Sequence, residues 1–132
     1  MTPGEILRRY RKIAVVGISN NRTRASNGVS RYMLGQGYEI VPVNPAITEF
    51  EGIAAVPDLA SAPADIEIVN IFRRPEYVPE IVEAAIAKGA KVIWMQQGIV
   101  HEEAAERARK AGLEVVQDRC ILVEHMAQKH EG

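Results

Sequence analysis

The chain has 132 residues, room for a single domain (1–132) with one core and not for two. Hydrophobic residues make up 47% and charged residues 25%, with a formal net charge of −1, so no broad basic footprint for nucleic acid is present. Cys120 is the only cysteine, which excludes an internal disulfide; no Cys/His spacing suits a metal, and no apolar run approaches a signal peptide or a membrane span, so a cytoplasmic protein is expected.

The pattern opens with a short helix at about residues 3–10. Five apolar runs rich in β-branched residues follow at 13–16, 39–43, 66–71, 91–95 and 113–116, each short enough to be a buried strand. Their starts are 26, 27, 25 and 22 residues apart, which leaves room for a helix and two loops each time and far exceeds a hairpin. Between the first two runs, Val29, Tyr32, Met33 and Gln36 keep helical spacing and Gly37 supplies a stop. The stretch from Pro45 to Ala64 reads as a loop with one short helix near 57–60. Pro75 opens a third helical pattern (Val78, Ile81, Val82, Ala85, Ile86) that Gly89 ends. Ala104, Ala105, Ala108 and Ala111 form a small-residue helix face behind Glu102 and Glu103, and a closing helix is expected at about 120–128. Alternating strands and helices predict an α/β, Rossmann-like, doubly wound parallel five-stranded sheet with helices on both faces, in the order 3-2-1-4-5.

In such a sheet a ligand lies beyond the carboxyl ends of the strands where the order reverses, here at strands one and four with help from two and three. The first turn begins with Gly17, which admits close approach to the backbone, and continues through Ser19, Asn20, Asn21, Arg22, Thr23 and Arg24. Ser26 or Asn27 is the expected N-cap of the next helix, leaving free N–H groups aimed at the pocket, and two arginines add charge-assisted donors for phosphate. A merely hydrophilic surface loop is the competing reading. The usual dinucleotide fingerprint is missing, and the second strand ends in Val43-Asn44-Pro45 with no carboxylate for a ribose 2′-hydroxyl. That argues against NAD and less strongly against NADP, whose 2′-phosphate arginines would take. The third strand ends in Phe72 and Arg73, which read either as a core ring with a solvated arginine or as a stacking and charge pair for a nucleotide. The fourth ends in Trp94-Met95-Gln96-Gln97-Gly98, and Trp94 fits core packing as well as ligand contact.

Taken together, Gly17-Ile18-Ser19, Val41-Pro42-Val43-Asn44-Pro45, Asn70-Ile71-Phe72-Arg73, Trp94 to Gly98, and Asp118-Arg119-Cys120 with Glu124-His125 resemble the small stand-alone CoA-binding proteins. That family is similar to the CoA-binding domain of the succinyl-CoA synthetase alpha subunit, and the likeness runs from about Lys12 to His125. The resemblance implies coenzyme A held by its ADP and pyrophosphate portions. Gly17, Ile18 and Ser19 would meet the pyrophosphate, with Arg22, Arg24 and Ser26 assisting at phosphates. Val43, Asn44 and Pro45 would border the adenosine, Phe72 and Arg73 would flank the nucleotide, and Gln96, Gln97 and Gly98 would border the pantetheine exit. Two departures stand out: residues 46–50 lack the lysine that the synthetase pattern carries after this proline, and the synthetase's second domain with its phosphorylated histidine has no counterpart.

Catalytic machinery is not expected. Cys120 and His125 are five residues apart, a poor match for one helical face, and cysteine is among the most buried residue types. His101 reads as a cap or surface residue, and neither a catalytic nor a metal set emerges. The leading expectation is therefore a carrier, sensor or regulatory module binding CoA or acyl-CoA, with no nucleic acid or membrane partner and with any protein partner unidentified. An NAD(P)-binding oxidoreductase or redox-sensing domain is the alternative, and an interaction domain that has lost its ligand is the third.

Overall fold

The first strand sits inside the sheet because neighbours claim both of its edges. The computed structural model describes residues 1–131. Strand β1 (Lys12–Val16) pairs in parallel with β2 (Glu39–Val43) on one side and with β5 (Ile68–Ile71) on the other. β5 pairs in parallel with β6 (Val92–Met95), and β6 with β7 (Glu114–Val116), giving the order β2-β1-β5-β6-β7. The fold is thus the expected Rossmann-like parallel five-stranded sheet.

The expected strand order is corrected. Counting these five strands along the chain, the order is 2-1-3-4-5, not 3-2-1-4-5. Pro42 supplies the reason. It lies within β2 and has no N–H to donate, which suits an edge strand and not one hydrogen-bonded on both sides. The outer side of β2 is covered by a lone parallel bridge from Val56 to Val43, with Val56 N–H donating to Pro42 O (2.9 Å) and Asn44 N–H to Val56 O (2.9 Å). The switch point moves with the order, from strands one and four to the first and third strands, β1 and β5.

Alternation along the strands sends side chains to two faces. Ala14, Val16, Val69, Ile71, Ile93 and Met95 pack with α3 (Val78–Lys88) and α4 (Glu102–Lys110). Ile13, Val15, Ile68, Val92 and Trp94 pack against α1 (Pro3–Arg9), α2 (Ala25–Gly35) and α5 (Ile121–Glu131). Trp94 is therefore core, fully buried, with its indole Nε1 donating to Arg119 O at 2.8 Å.

Local signals explain most of the helix ends. Thr2 and Glu5 form a capping box on α1, and His101 Nδ1 accepts from Ala104 N–H to cap α4. Gly89, at φ 79°, closes α3 in the left-handed conformation. Pro75 opens a short 3₁₀ turn (Pro75–Tyr77) that leads into α3. The cap of α2 differs from expectation. The helix begins at Ala25 with Arg24 at the N-cap, so Ser26 and Asn27 lie inside the first turn and are buried. Asn27 is used elsewhere: its Nδ2 donates to Ser19 O (3.0 Å) and its Oδ1 accepts from Arg31 Nε (2.7 Å). Residues 45–64 hold more structure than expected. A hairpin joins β3 (Glu49–Phe50) to β4 (Ile53–Ala54), and the short helix is a 3₁₀ turn at Leu59–Ser61.

α2 and α5 are joined by a buried histidine. The Tyr32 hydroxyl and His125 Nδ1 lie 2.8 Å apart, and the imidazole meets the Tyr32 and Tyr38 rings edge-on. Burial pushes the His125 pKa down, with the Lys129 and Arg11 charges adding to that effect. Such a group binds fewer protons in the folded than in the unfolded chain, so its stabilising effect is complete above the ordinary histidine pKa and is lost as pH falls through and below it. Urea midpoints are expected to fall between pH 7 and pH 5. His125→Gln is expected to flatten that fall, and an identical pH slope in the variant would contradict the assignment.

Candidate functional site

The register aligns the carboxyl ends of four strands. Val16 lies opposite Val43 and Ile71, and Ile71 opposite Met95. The next residue of each strand, Gly17, Asn44, Phe72 and Gln96, therefore emerges along one edge. Gly17 N–H donates to Val43 O (3.0 Å) and Phe72 N–H to Val16 O (2.9 Å), so the turns leave the sheet already pinned.

Gly17 is the closest point of that edge. It adopts φ 90°, and a Cβ there would stand 2.6 Å from Phe72 O and 3.0 Å from Arg73 Cδ. Only glycine fits, because the β1 and β5 turns cross at the switch point with no side-chain thickness between them.

Three cavities run along this edge and share walls. One, of about 340 Å³, lies between the β1 and β2 ends and α3, lined in part by Gly17, Val43, Pro45, Leu59, Arg73 and Tyr77. A middle one, of about 360 Å³, is lined by Gly17, Ser19, Arg24, Ala25, Ser26 and Phe72. The third, of about 420 Å³, is bordered among others by Ala25, Phe72, Arg73, Gln96, Gln97 and Cys120. Gly17 is common to the first two, Phe72 and Ala25 to the last two, and Arg73 to the first and third.

The middle cavity faces the start of α2. No side chain caps that helix and no acidic residue occupies its first turn. Asn27 N–H donates to Arg24 O (3.1 Å), so the amides of Ala25 and Ser26 are left to whatever enters from the crevice, and the helix end carries partial positive charge. Arg24 adds a full one at the same place. The turn before it is held by its own polar groups: Ser19 Oγ accepts from Asn21 N–H, and Asn21 Oδ1 accepts from Thr23 N–H and Oγ1–H.

Ten of the expected site residues meet here: Gly17, Ser19, Arg24, Ser26, Val43, Pro45, Phe72, Arg73, Gln96 and Gln97. Four do not line the cavities. Arg22 is exposed. Ile18 is fully buried, and its carbonyl accepts from Asn44 Nδ2 at 2.8 Å. Asn44 also accepts from Ala46 N–H through Oδ1 (2.8 Å), so its side chain stitches the β2 turn to the β1 turn. Gly98 N–H donates to Asp118 Oδ1 (2.6 Å). Asn44→Ala removes both of its hydrogen bonds and is expected to cost about 1–3 kcal/mol in urea unfolding. An unchanged midpoint would show the stitch to be inert.

Gln96 has a structural task at the cavity wall. It is 3% exposed, and its Oε1 accepts from Ile121 N–H (2.8 Å), the first residue of α5. Sequence reasoning missed the apolar partners. Leu59 comes from the segment after Val56, Tyr77 from the 3₁₀ turn that leads into α3, and Ile81 and Ala84 from α3, while Val29, Ile99 and Cys120 close the other end. The strand-end rule does not reach them, because they arrive by helix packing. Cys120 and His125 are not a pair: His125 faces Tyr32 and Tyr38 in the core, whereas Cys120 borders the crevice. Among the described residues no group of three His, Cys, Asp or Glu side chains converges as a metal site, and no helix is long and apolar enough to cross a membrane.

Comparison with known proteins agrees with this architecture. The uncharacterized protein YneT of Bacillus subtilis (strain 168) is 46% identical over 125 residues, covering 95% of this chain and 93% of its own. A hypothetical protein of Pyrococcus horikoshii OT3 superposes with a TM-score of 0.92 at 41% identity, over 98% of this chain and 93% of that one. A dinucleotide-forming acetyl-coenzyme A synthetase from Ca. Korarchaeum cryptofilum shares the fold at a TM-score of 0.76 and 21% identity, over 87% of this chain and 28% of that one. The family model described as CoA binding domain matches residues 11–126, and this chain belongs to that family.

Proposed function

We propose that the protein binds coenzyme A or an acyl-CoA along the crevice and works as a carrier, sensor or regulatory module without catalysis of its own. The observation that carries this reading is the uncapped start of α2 beside Gly17, midway between two cavities with apolar walls. A CoA molecule has that sequence of parts: a nucleoside, a pyrophosphate and a largely apolar arm. The adenosine enters between Val43, Pro45 and Tyr77; the pyrophosphate meets the Gly17 turn and the α2 amides; the pantetheine leaves past Phe72, Gln96 and Gln97. The residues fit the group, since a Cβ at Gly17 would fill the cradle and no protein side chain occupies the α2 cap.

Arg24 and Arg73 are the cations bordering these phosphates and supply charge-assisted bonds. Isothermal titration is expected to show CoA binding in the micromolar range or tighter (roughly 8 kcal/mol or more of binding free energy). Replacing either arginine by alanine is expected to weaken it by about tenfold to a hundredfold, at roughly 1.5–3 kcal/mol for a hydrogen bond to a charged group. A folded protein with no CoA heat would overturn the reading. NADPH binding in a fluorescence titration, with no CoA binding, would favour the oxidoreductase or redox-sensor alternative.

A further inference from the structure

Arg73 stands where the two outer cavities meet and lines both. Its guanidinium carbon lies 4.3 Å from the centroid of the Tyr77 ring. Its Cδ would come 3.0 Å from a Cβ at Gly17, so the stem crosses directly over that glycine. Two cations near it have carboxylate partners, Arg74 with Glu76 and Arg119 with Glu124, whereas Arg24, like Arg73, has none among the described residues. Arg73 appears in no ion pair among the described residues, and an aromatic face is the partner its charge has. The side chain therefore spans the crevice at the point where a pyrophosphate would have to approach the backbone.

We propose that Arg73 is a specificity-determining residue that leaves the Tyr77 ring for the pyrophosphate of the ligand, so the Tyr77 face is freed only for an adenosine that arrives with its phosphates. The inference rests on the CoA reading above and adds the order of events at that site. A cation over the face of the half-buried Tyr77 ring makes one contact without hydrogen bonds, whereas a guanidinium on phosphate oxygens makes two charge-assisted bonds in a fixed fork. The exchange therefore runs toward phosphate when phosphate is present. Unphosphorylated adenosine offers the arginine nothing in return and finds the Tyr77 face still covered. Once Arg73 has moved, the Tyr77 face is left to line the nucleoside cavity.

The test is the Nε–Hε resonance of Arg73 in ¹⁵N-labelled protein. In the ligand-free wild type the Tyr77 ring current is expected to hold it upfield of its position in Tyr77→Leu, and Tyr77→Phe, which keeps a ring, is expected to stay with the wild type. Saturating CoA is expected to bring wild type and Tyr77→Leu to the same position, while adenosine at the same concentration leaves the wild-type signal where it was. If Tyr77→Leu does not fold, the free-to-bound displacement in wild type and Tyr77→Phe carries the same test. An Arg73 signal that stays upfield with CoA bound, or that adenosine moves as far as CoA does, would overturn the exchange. Calorimetry on the same samples separates the two claims. CoA heat with an unmoved signal sinks the exchange alone, whereas no CoA heat sinks the binding reading and the exchange together.

Discussion

Gly17→Ala is expected to lose most CoA binding and to unfold at clearly lower urea. The backbone at this position has φ 90°, and the added methyl would stand 2.6 Å from Phe72 O. Forcing an L-residue into left-handed backbone costs about 1–2 kcal/mol before any clash is counted. The clash is with main chain, which cannot rotate away as a side-chain tip can. Relief has to come from parting the β1 and β5 turns, and that parting displaces Phe72, Arg73 and the mouth of the middle cavity together. Affinity is expected to fall at least about tenfold, equivalent to about 1.4 kcal/mol. Urea unfolding and CoA calorimetry on one preparation check both halves. An alanine variant that binds and unfolds like the parent would show that the close approach of the two turns carries no weight.

The second large effect is expected at Trp94, which lines none of the three cavities. Its indole fills the layer between the sheet and α1, α2 and α5, and Nε1 donates to Arg119 O in the segment that leads to Cys120 and α5. Trp94→Ala is expected to cost about 3–5 kcal/mol, the range for emptying a large aromatic from a core. Trp94→Phe keeps most of the volume and gives up the hydrogen bond to Arg119 O. That loss is expected to cost about 1 kcal/mol, with the remainder set by how well the smaller ring packs. Because Cys120, next in the chain after Arg119, borders the third cavity, the alanine variant is also expected to weaken CoA binding through its pantetheine half while leaving ADP affinity nearer the parent value. Equal losses for ADP and CoA would place the damage elsewhere.

The strand edges were legible because each buried strand is a short β-branched run with a breaker near its end. That reading was enough to find Gly17, Phe72 and Gln96 as the residues that leave the sheet together. The order of the strands was not read correctly, although Pro42 carried the information: a strand with a missing donor belongs at an edge. The α2 cap was misplaced because Ser26 and Asn27 are strong capping types. Here the hydrogen-bonded Asn21–Thr23 turn delivers the chain two or three residues earlier, and Asn27 is drawn back to Ser19 instead. The hairpin at residues 49–54 was missed because its turn is Glu51-Gly52, with φ of 49° and 79°. Glutamate is an uncommon residue for the first of two left-handed positions. The β2 end of the crevice was only half visible. Val43 and Pro45 follow from the strand, but Leu59, Tyr77 and Ile81 depend on how α3 and the segment after Val56 fold over it.

The most direct test of the central claim is a crystal structure of the protein with coenzyme A. The account predicts continuous density from the Val43–Pro45 end, across Gly17 and the first amides of α2, to Gln97, with the pyrophosphate against Gly17. CoA bound elsewhere on the surface, or a crevice closed by its own side chains at saturating CoA, would contradict it.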